Sequence, residues 1–496
     1  MKRKQLTLVI VSLLVVVLSV SLAWFTTQII GKGKTVDVSS ANLQIVFTDS
    51  DGALTETDIE PGWTKTKTFT IKNDTKTEYK YNIVIKDLLN TFVTNGYLQY
   101  KITTTNGGYN MTEFKDIPKS SAPKDTILAY SVVIPNGVTQ SYTIEFKYTN
   151  DESVDQSDDM GKKLSGTLFI TEGTEDPNKT LLTQLLVDKS TKLTRTDFSK
   201  VLTNDNTNTL YTSTEDSKTV YYFAGNATDN WVKFGKNESN QDLYWRIIRT
   251  NSDGGVRLLY HGTSTTATDA VINASTAFNS SYNNIASVSY MYGSLGGILN
   301  ARENTTNSTI KTIIDNWYKD NLNTNYGKYL STTAVYCNDR STSDNYEFGA
   351  YTRLDTNKTP TYDCATTEDK FTVDTSTGNG KLTYPIALMT ADEVAFAGGV
   401  DATNAETWYY YNSANGSSTG STWWWLLSPY FWDDRYAFVF GVDGSSSPGR
   451  LASYRVGSTY GVRPAISLKS CVKYSTGNGS ASDPYTIKET ETETGC

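Results

Sequence analysis

Short stretches of alternating apolar and polar residues recur along most of this chain, and they constrain its fold more than any other feature. In residues 79–86 (YKYNIVIK) and 142–148 (YTIEFKY), aromatic or aliphatic residues occupy every second position. Side chains of a β-strand alternate between its two faces, so each stretch predicts a strand with one buried face. Before residue 173 the pattern predicts seven strands: 43–48, 63–72, 79–86, 97–103, 127–134, 142–148 and 164–171. Short strands separated by Gly, Asn and Pro turns are typical of a β-sandwich, which we expect at 33–172.

Residues 1–32 combine a basic start with a long uncharged run. The sequence MKRK is followed by residues 6–25, which are uncharged and mostly Leu, Val and Ile. About 20 such residues can cross a bilayer as a helix, with the basic end in the cytoplasm. Ser21-Leu22-Ala23 also has the small-x-small form of a signal-peptide cleavage site. A membrane anchor and a cleaved signal peptide therefore stay open, and either one predicts an extracellular, surface-anchored or secreted protein.

The chain after residue 210 predicts a second kind of domain. Strands are expected at 219–225, 230–234, 243–250 and 255–260. Ile310, Ile314 and Trp317 trace one face of a helix preceded by Asn307 and Ser308 as N-cap residues. A second helix is predicted after Thr390, whose spacing to Glu393 fits a capping box. Helices among short strands predict an α+β domain at 211–487 and an α+β fold class for the whole chain, with a linker at 173–210 and a polar tail at 488–496.

Residues 421–468 contain the side chains that we predict to bind a ligand. The apolar ends 423–427 and 461–468 predict buried strands, whereas aromatic, acidic and arginine residues without a core period fill the middle. Rigid aromatic side chains and Arg contribute much of the binding energy in protein interfaces. The alternative, an aromatic-rich β core with ordinary polar loops, stays open. The residues of this binding type are Tyr430, Phe431, Trp432, Asp433, Asp434, Arg435, Tyr436, Arg450, Tyr454 and Arg455.

Charge and motif content argue against several function classes. The formal net charge is −8, and no Lys/Arg cluster lies beyond the first four residues, so no nucleic-acid partner is expected. His261 is the one histidine, and the cysteines form no CxxC pair, which leaves nucleophilic catalysis and a zinc site unsupported. The EPN and QPD triplets of calcium-dependent sugar binding do not occur in residues 211–487. We predict no catalytic residues, no metal site and no cofactor, and calcium is unsupported.

Four cysteines agree with an oxidising location outside the cytoplasm. Four cysteines allow three connectivities. Proximity along the sequence favours Cys337–Cys364 and Cys471–Cys496.

Several short segments occur in a specific order: LYWRIIR, VRLLYHGTS, IIDNWY, YCNDRS, YPIALMTADEVAFAGG, WWWLLSPY and YGVRPAISL. In this order they resemble a family of exported bacterial proteins with a C-type-lectin-like fold, which is shared with formylglycine-generating-type domains and with the variable proteins of diversity-generating retroelements. The resemblance covers about 211–487. In the first domain, residues 59–75 (IEPGWTKTKTFTIKNDT) loosely resemble camelysin/TasA-type matrix proteins.

The resemblance implies a function as well as a fold. In the retroelement proteins the last strands carry a hypervariable ligand-binding face on an invariant scaffold. Carried onto this chain, that face is 430–460, which adds Phe438, Phe440, Asp443, Ser445, Ser453 and Tyr460 to the predicted ligand-binding residues. The expected partner is an unidentified protein or glycan on another cell, a phage or a host surface. Two alternatives stay open: an enzyme on the formylglycine-generating-type scaffold, and a matrix protein that polymerises through its β-sandwich.

Overall fold

The computed structural model describes residues 34–39, 44–49, 54–56, 59–202, 206–267, 270–342, 346–400, 408–409, 423–444 and 447–489. The predicted anchor or signal helix falls within residues 1–33, outside the described residues, as does most of the predicted polar tail. In the described ranges, no helix is both long and apolar enough to cross a membrane. The chain divides into two compact units, Met1–Pro177 and Asn178–Cys496, with the boundary inside the segment predicted as a linker.

The described part of the first unit is a sandwich of two sheets. In order of pairing, the six-stranded sheet contains β1 (Lys34–Ser39), β2 (Gln44–Asp49), β4 (Thr64–Lys72), β9 (Thr139–Tyr148), β6 (Leu98–Thr105) and β7 (Met111–Asp116). The four-stranded sheet contains β3 (Leu54–Glu56), β10 (Leu164–Glu172), β5 (Tyr79–Asn90) and β8 (Ser120–Ile134). Both sheets contribute alternate side chains to one apolar core, where Phe69 stacks on Tyr142 with ring centroids 4.7 Å apart. Each of the seven predicted strands overlaps an observed one.

The described part of the second unit contains two large sheets. The eight-stranded sheet pairs β11 (Thr191–Thr194), β12 (Thr209–Glu215), β13 (Lys218–Tyr222), β15 (Asp242–Thr250), β16 (Val256–Gly262), β27 (Pro464–Leu468) and β22 (Ile386–Leu388), with β14 (Trp231–Lys236) also on β15. The five-stranded sheet pairs β17 (Asn273–Ala277), β26 (Thr459–Val462), β23 (Trp424–Trp432), β24 (Ala437–Val442) and β25 (Leu451–Arg455). Two short ribbons pair β18 (Met291–Tyr292) with β19 (Thr306–Asn307) and β20 (Tyr336–Cys337) with β21 (Lys370–Phe371).

The helices of the second unit are short. They are α1 (Leu181–Asp188), α2 (Ile298–Ala301), α3 (Thr309–Asn321), α4 (Asn323–Tyr326), α5 (Gly349–Tyr351) and α6 (Ala391–Ala397). The hydroxyl of Ser308 accepts a hydrogen bond from the backbone of Lys311 and so caps α3. The predicted capping box of α6 is confirmed, because Thr390 Oγ1 accepts from Glu393 N at 3.1 Å and Glu393 Oε2 accepts from Thr390 N at 3.0 Å.

The predicted α+β fold class is wrong. The chain is mostly β, with 41% strand and 14% helix distributed over several sheets. The helical patterns at α3 and α6 are real, but these helices contain 13 and 7 residues, whereas strands supply the bulk of the second unit as well as the first. A hydrophobic period shows where a helix or strand lies, but it does not show how much of the domain is helical. Here the helices are short and the strands make up most of the domain.

Four charged side chains are buried together where α6 lies against the eight-stranded sheet. Glu393 Oε1 accepts from Arg249 Nε at 2.8 Å and from Arg257 Nη1 at 2.7 Å, and Arg249 Nη2 also donates to Glu215 at 2.8 Å. All four residues are at most 6% exposed. We call Glu215, Arg249, Arg257 and Glu393 the buried charge network. Because two acids face two arginines, the network is neutral and its charges are paired, as burial requires.

The predicted disulfide between Cys337 and Cys364 is confirmed. It links β20 to a loop 27 residues further along the chain. The second predicted pair, Cys471–Cys496, ends at a residue outside the described ranges.

Replacing both cysteines, as Cys337→Ser with Cys364→Ser, is expected to lower the free energy of unfolding by about 3 kcal/mol. The intact disulfide lowers the conformational entropy of the unfolded chain. In the chain-entropy model, closing a loop of this length stabilises the folded protein by about that amount. Urea denaturation of the full chain, with and without the two substitutions, measures the difference. Equal midpoints for the two proteins under oxidising conditions would contradict the prediction.

Candidate ligand-binding face

Three consecutive strands, β23, β24 and β25, form one end of the five-stranded sheet, and the strands with the turns between them carry most of the predicted binding residues. A tight turn joins β23 to β24. Asp433 Oδ1 accepts from the backbone nitrogens of Arg435 at 2.9 Å and Tyr436 at 2.6 Å, and Asp434 takes a left-handed backbone with φ 65°. Both acids are exposed, and Asp433 is the residue that fixes the shape of this turn.

Aromatic rings and an arginine stack in a row along one face of these strands. Phe431 lies opposite Phe438, and Phe438 lies opposite Arg455 on the third strand. The Phe431 and Phe438 rings stack at 4.5 Å, and the Arg455 guanidinium lies 4.0 Å from the Tyr436 ring and 5.9 Å from the Phe438 ring. Tyr436 in turn stacks on Tyr282, with centroids 6.1 Å apart. We call Tyr282, Tyr436, Arg455, Phe438 and Phe431 the aromatic ladder.

The aromatic ladder lies outside the hydrophobic core. Tyr430, Trp432, Tyr454 and Tyr460 are also partly exposed, but each of them packs against the core of the second unit, which no ring of the ladder does. Tyr282 is 48% exposed, and Arg455 and Arg435 are exposed. A row of rings that stack on one another and on an arginine, rather than on the core, is the chemistry of a binding surface.

Several other predicted binding residues belong to the interior. Phe440 and Asp443 are fully buried. Arg450 Nε donates to Asp443 Oδ2 at 2.5 Å, and burial raises the pKa of Asp443 against the opposing effect of Arg450. Ser453 is half-buried. Ser445 lies outside the described residues.

The half-buried residues Tyr454 and Tyr460 join a second aromatic group. Their rings lie 4.4 Å apart, and each stacks against Trp423 at 5.3 and 5.4 Å. Trp425 also contacts both rings, while Trp424 and Trp425 themselves are fully buried. These contacts tie Tyr454 and Tyr460 to the core of the second unit and not to the ladder.

Three surface residues in or beside the ladder come from parts of the sequence where no binding role was predicted. Tyr282 stands in a polar loop, and Tyr346 and Glu347 precede α5. Trp432 N donates to Tyr346 O at 3.2 Å, and Glu347 pairs with Phe431 as an isolated bridge. Tyr346 is 43% exposed and has a left-handed φ of 57°, a strained conformation for a bulky residue. The sequence signals neither the strain nor the proximity, because both arise from long-range pairing.

No group of three or more His, Cys, Asp or Glu side chains that could hold a metal ion occurs among the described residues. His261 is fully buried, with its ring 4.4 Å from Trp231, and burial together with Arg246 and Arg463 holds the pKa of His261 well below its usual range. This environment keeps the imidazole neutral and away from solvent.

Comparison with known proteins gives one match. No curated protein and no solved structure matches the chain. The lectin-like and formylglycine-generating-type resemblances therefore stay predictions. Over residues 315–470, which include every predicted ligand-binding residue, the chain is similar to a family described as a domain of unknown function, DUF6273.

Proposed function

We propose that this chain is an exported bacterial binding protein that presents the aromatic ladder to a ligand at the cell surface. The observation that carries the proposal is the row of half-exposed rings stacked with Arg455 and held apart from the core. Aromatic rings and arginines bury large areas at a low entropic cost when their positions are already fixed. The ladder meets this condition, because three of its members stand on paired strands.

The export part of the proposal has separate support. Residues 1–25 have the basic start and uncharged run of an export signal, and Cys337–Cys364 is a bond that persists in oxidising compartments. A binding protein on the outside of a cell meets its ligand directly, which is the setting that a solvent-facing ladder requires.

The proposal includes variation of the face between related proteins. Phe431, Tyr436, Phe438 and Arg455 contact each other and solvent rather than the core. Phe431, Tyr436 and Phe438 are half-buried and Arg455 is exposed. Substitutions at these positions would change what the face recognises and should cost less stability than substitutions in the core.

Replacing Tyr436 or Arg455 with alanine is expected to weaken ligand binding by about 2 kcal/mol, or roughly 30-fold, because each removal opens the stack at its centre. The free energy of unfolding should stay within about 0.5 kcal/mol of wild type. Ligands for this test are peptides selected from a random phage-displayed library on the immobilised full chain. Their affinities for wild type and variants are compared by surface plasmon resonance, and thermal melts report on folding.

Lys319→Ala, an exposed substitution on α3, is the control and should leave binding and melting unchanged. Selected peptides that bind the two ladder variants as tightly as wild type would contradict the proposed function. So would ladder variants that melt far below wild type, since that result would place the ladder in the core.

A further inference from the structure

Lys189 and Asp229 form a buried ion pair at the end of α1. Lys189 directly follows this helix, and its backbone nitrogen donates to Leu185 O at 3.0 Å, so the helix fixes where the lysine side chain begins. Lys189 Nζ donates to Asp229 Oδ2 at 2.7 Å, although the two residues stand 40 positions apart in the sequence. Lys189 is 1% exposed and Asp229 is 6% exposed, so the pair is shielded from water.

The two carboxylate oxygens of Asp229 have different surroundings. Oδ2 accepts from Lys189 Nζ and also from the backbone nitrogen of Asn208 at 2.8 Å. In the described part of the chain, no group donates to Oδ1, although this atom is buried. A buried oxygen without a donor costs free energy, because water would satisfy it in the unfolded chain. The fold therefore holds Oδ2 in place and leaves Oδ1 uncompensated.

The acid next to Lys189 in the sequence is occupied by other partners. Asp188 Oδ1 accepts from Gln184 Nε2 at 2.6 Å, and Asp188 Oδ2 accepts from the Tyr485 hydroxyl at 2.8 Å. The Tyr485 ring lies 5.4 Å from Lys189 Nζ. Burial together with Asp188 raises the pKa of Tyr485, so its hydroxyl stays protonated. Asp229 is the carboxylate that Lys189 contacts.

We propose that Lys189 and Asp229 become joined by an amide bond between Nζ and Cγ, which makes them a site of intramolecular modification. The nitrogen attacks Cγ, the bond from Cγ to Oδ1 breaks, and Oδ1 leaves as water with two protons from the nitrogen. Ammonium and carboxylate thus give amide and water, and no further reactant is needed. The product keeps Oδ2 on Asn208 N and retains one N–H for Asn478 O, which lies 3.4 Å from Nζ.

Three features of the pair favour this reaction. The helix end and the Asn208 contact hold the nitrogen and the carboxylate together, which gives a high effective concentration. Burial penalises the two charges, whereas the amide is neutral. The Asn208 N–H already contacts the oxygen on which negative charge develops during the attack.

The bond goes beyond the proposed function, because it concerns how the second unit is held together. α1 is the first helix of that unit, and the first unit ends at Pro177. An amide from Lys189 to Asp229 would tie the point where the chain enters the second unit to the segment before β14. It would also close a loop that no reductant can open, unlike the Cys337–Cys364 disulfide.

The test is a tryptic digest of the full chain, kept folded for several days at neutral pH and then unfolded and reduced, with tandem mass spectrometry of the peptides. Trypsin does not cleave after a modified lysine, so residues 180–192 should stay intact and be joined to residues 219–233, with the mass of one water missing. Fragment ions should place the link at Lys189 and Asp229. Lys189→Arg keeps the positive charge but has no amine, so its digest should contain residues 219–233 as a free peptide.

The ion pair of Lys236 and Asp242 is the control within the same digest. Its Nζ–Oδ1 distance is also 2.7 Å, but the two side chains are 43% and 36% exposed. Cleavage after Lys236 and a free peptide of residues 237–246 are expected, because solvent stabilises both charges.

Separate peptides of residues 180–189 and 219–233 from the wild-type protein would overturn the proposal. A link to residues 219–233 that persists in Lys189→Arg would overturn it too, since another residue would then be responsible. The wild-type digest is decisive whether or not the variant folds. Each of these results leaves the proposed ligand-binding function untouched, because none of the residues belongs to the aromatic ladder.

Discussion

Glu393→Gln is expected to lower the free energy of unfolding by about 4 kcal/mol, because two buried arginines then share a single carboxylate, that of Glu215. Glu393 is 1% exposed and accepts from both Arg249 and Arg257, while Glu215 accepts from Arg249 but not from Arg257. Glutamine has the same shape, so the change removes charge and adds no cavity. Chemical denaturation of the full chain at pH 7 measures the loss. The unfolding transition of the second unit should shift to a lower denaturant concentration.

The same carboxylate predicts how this difference depends on pH. Burial acts to raise the pKa of Glu393, but Arg257 and Arg249 outweigh it and lower the pKa to about 2 from the ordinary 4.5. A lowered pKa stabilises the fold above 4.5, and this contribution is lost as the pH falls from 4.5 towards 2. The difference in the free energy of unfolding between wild type and Glu393→Gln should therefore become smaller as the pH falls over that interval. Glu238→Gln makes the same change at an exposed position and is the control, which should be as stable as wild type at every pH. A Glu393→Gln protein that is as stable as wild type would refute the stabilising role of the buried charge network.

Leu427→Ala and Ile466→Ala are each expected to cost about 2–5 kcal/mol through the cavity that they leave. Both side chains are fully buried. Ile466 stands on β27, where it pairs with Leu258 on one side and Ile386 on the other, so neighbouring strands hold the cavity open. Thermal melts and urea denaturation check the loss.

Leu299→Ala is the control for these two changes, since Leu299 is 80% exposed and should melt like wild type. Alanine at Phe438 belongs in the same series, because it tests the division between scaffold and ladder. If Phe438→Ala lowered the melting temperature far below wild type while Leu427→Ala and Ile466→Ala left it unchanged, the division between scaffold and ladder would be wrong.

Local patterns in the sequence predicted the elements better than their arrangement. Alternation at 79–86 and 142–148 identified β5 and β9, and the spacing of Thr390 and Glu393 identified the start of α6. Each of these signals depends on neighbours a few residues apart. The fold class was wrong because two clear helical periods were taken to represent a whole domain that consists mainly of strands.

The candidate site was predictable in part for the same reason. The sequence singled out Phe431, Tyr436 and Arg455, whose types mark a binding surface, but it also included Phe440 and Asp443, which are buried. No local feature distinguishes an aspartate that pairs with Arg450 inside the protein from one that faces solvent. Tyr282 and Glu347 were missed because a ring stack with Tyr436 and a β-bridge to Phe431, respectively, bring them to the ladder from far along the chain.

The position of β27 has a consequence for how the protein is made. This strand, Pro464–Leu468, lies between β16 and β22 in the eight-stranded sheet, although it comes more than 200 residues after β16 in the sequence. A ribosome must therefore synthesise nearly all of the second unit before β27 can enter the sheet between β16 and β22. Until then β16 and β22 have no strand between them in this sheet. We expect a chain that stops before Pro464 to be unable to complete this sheet.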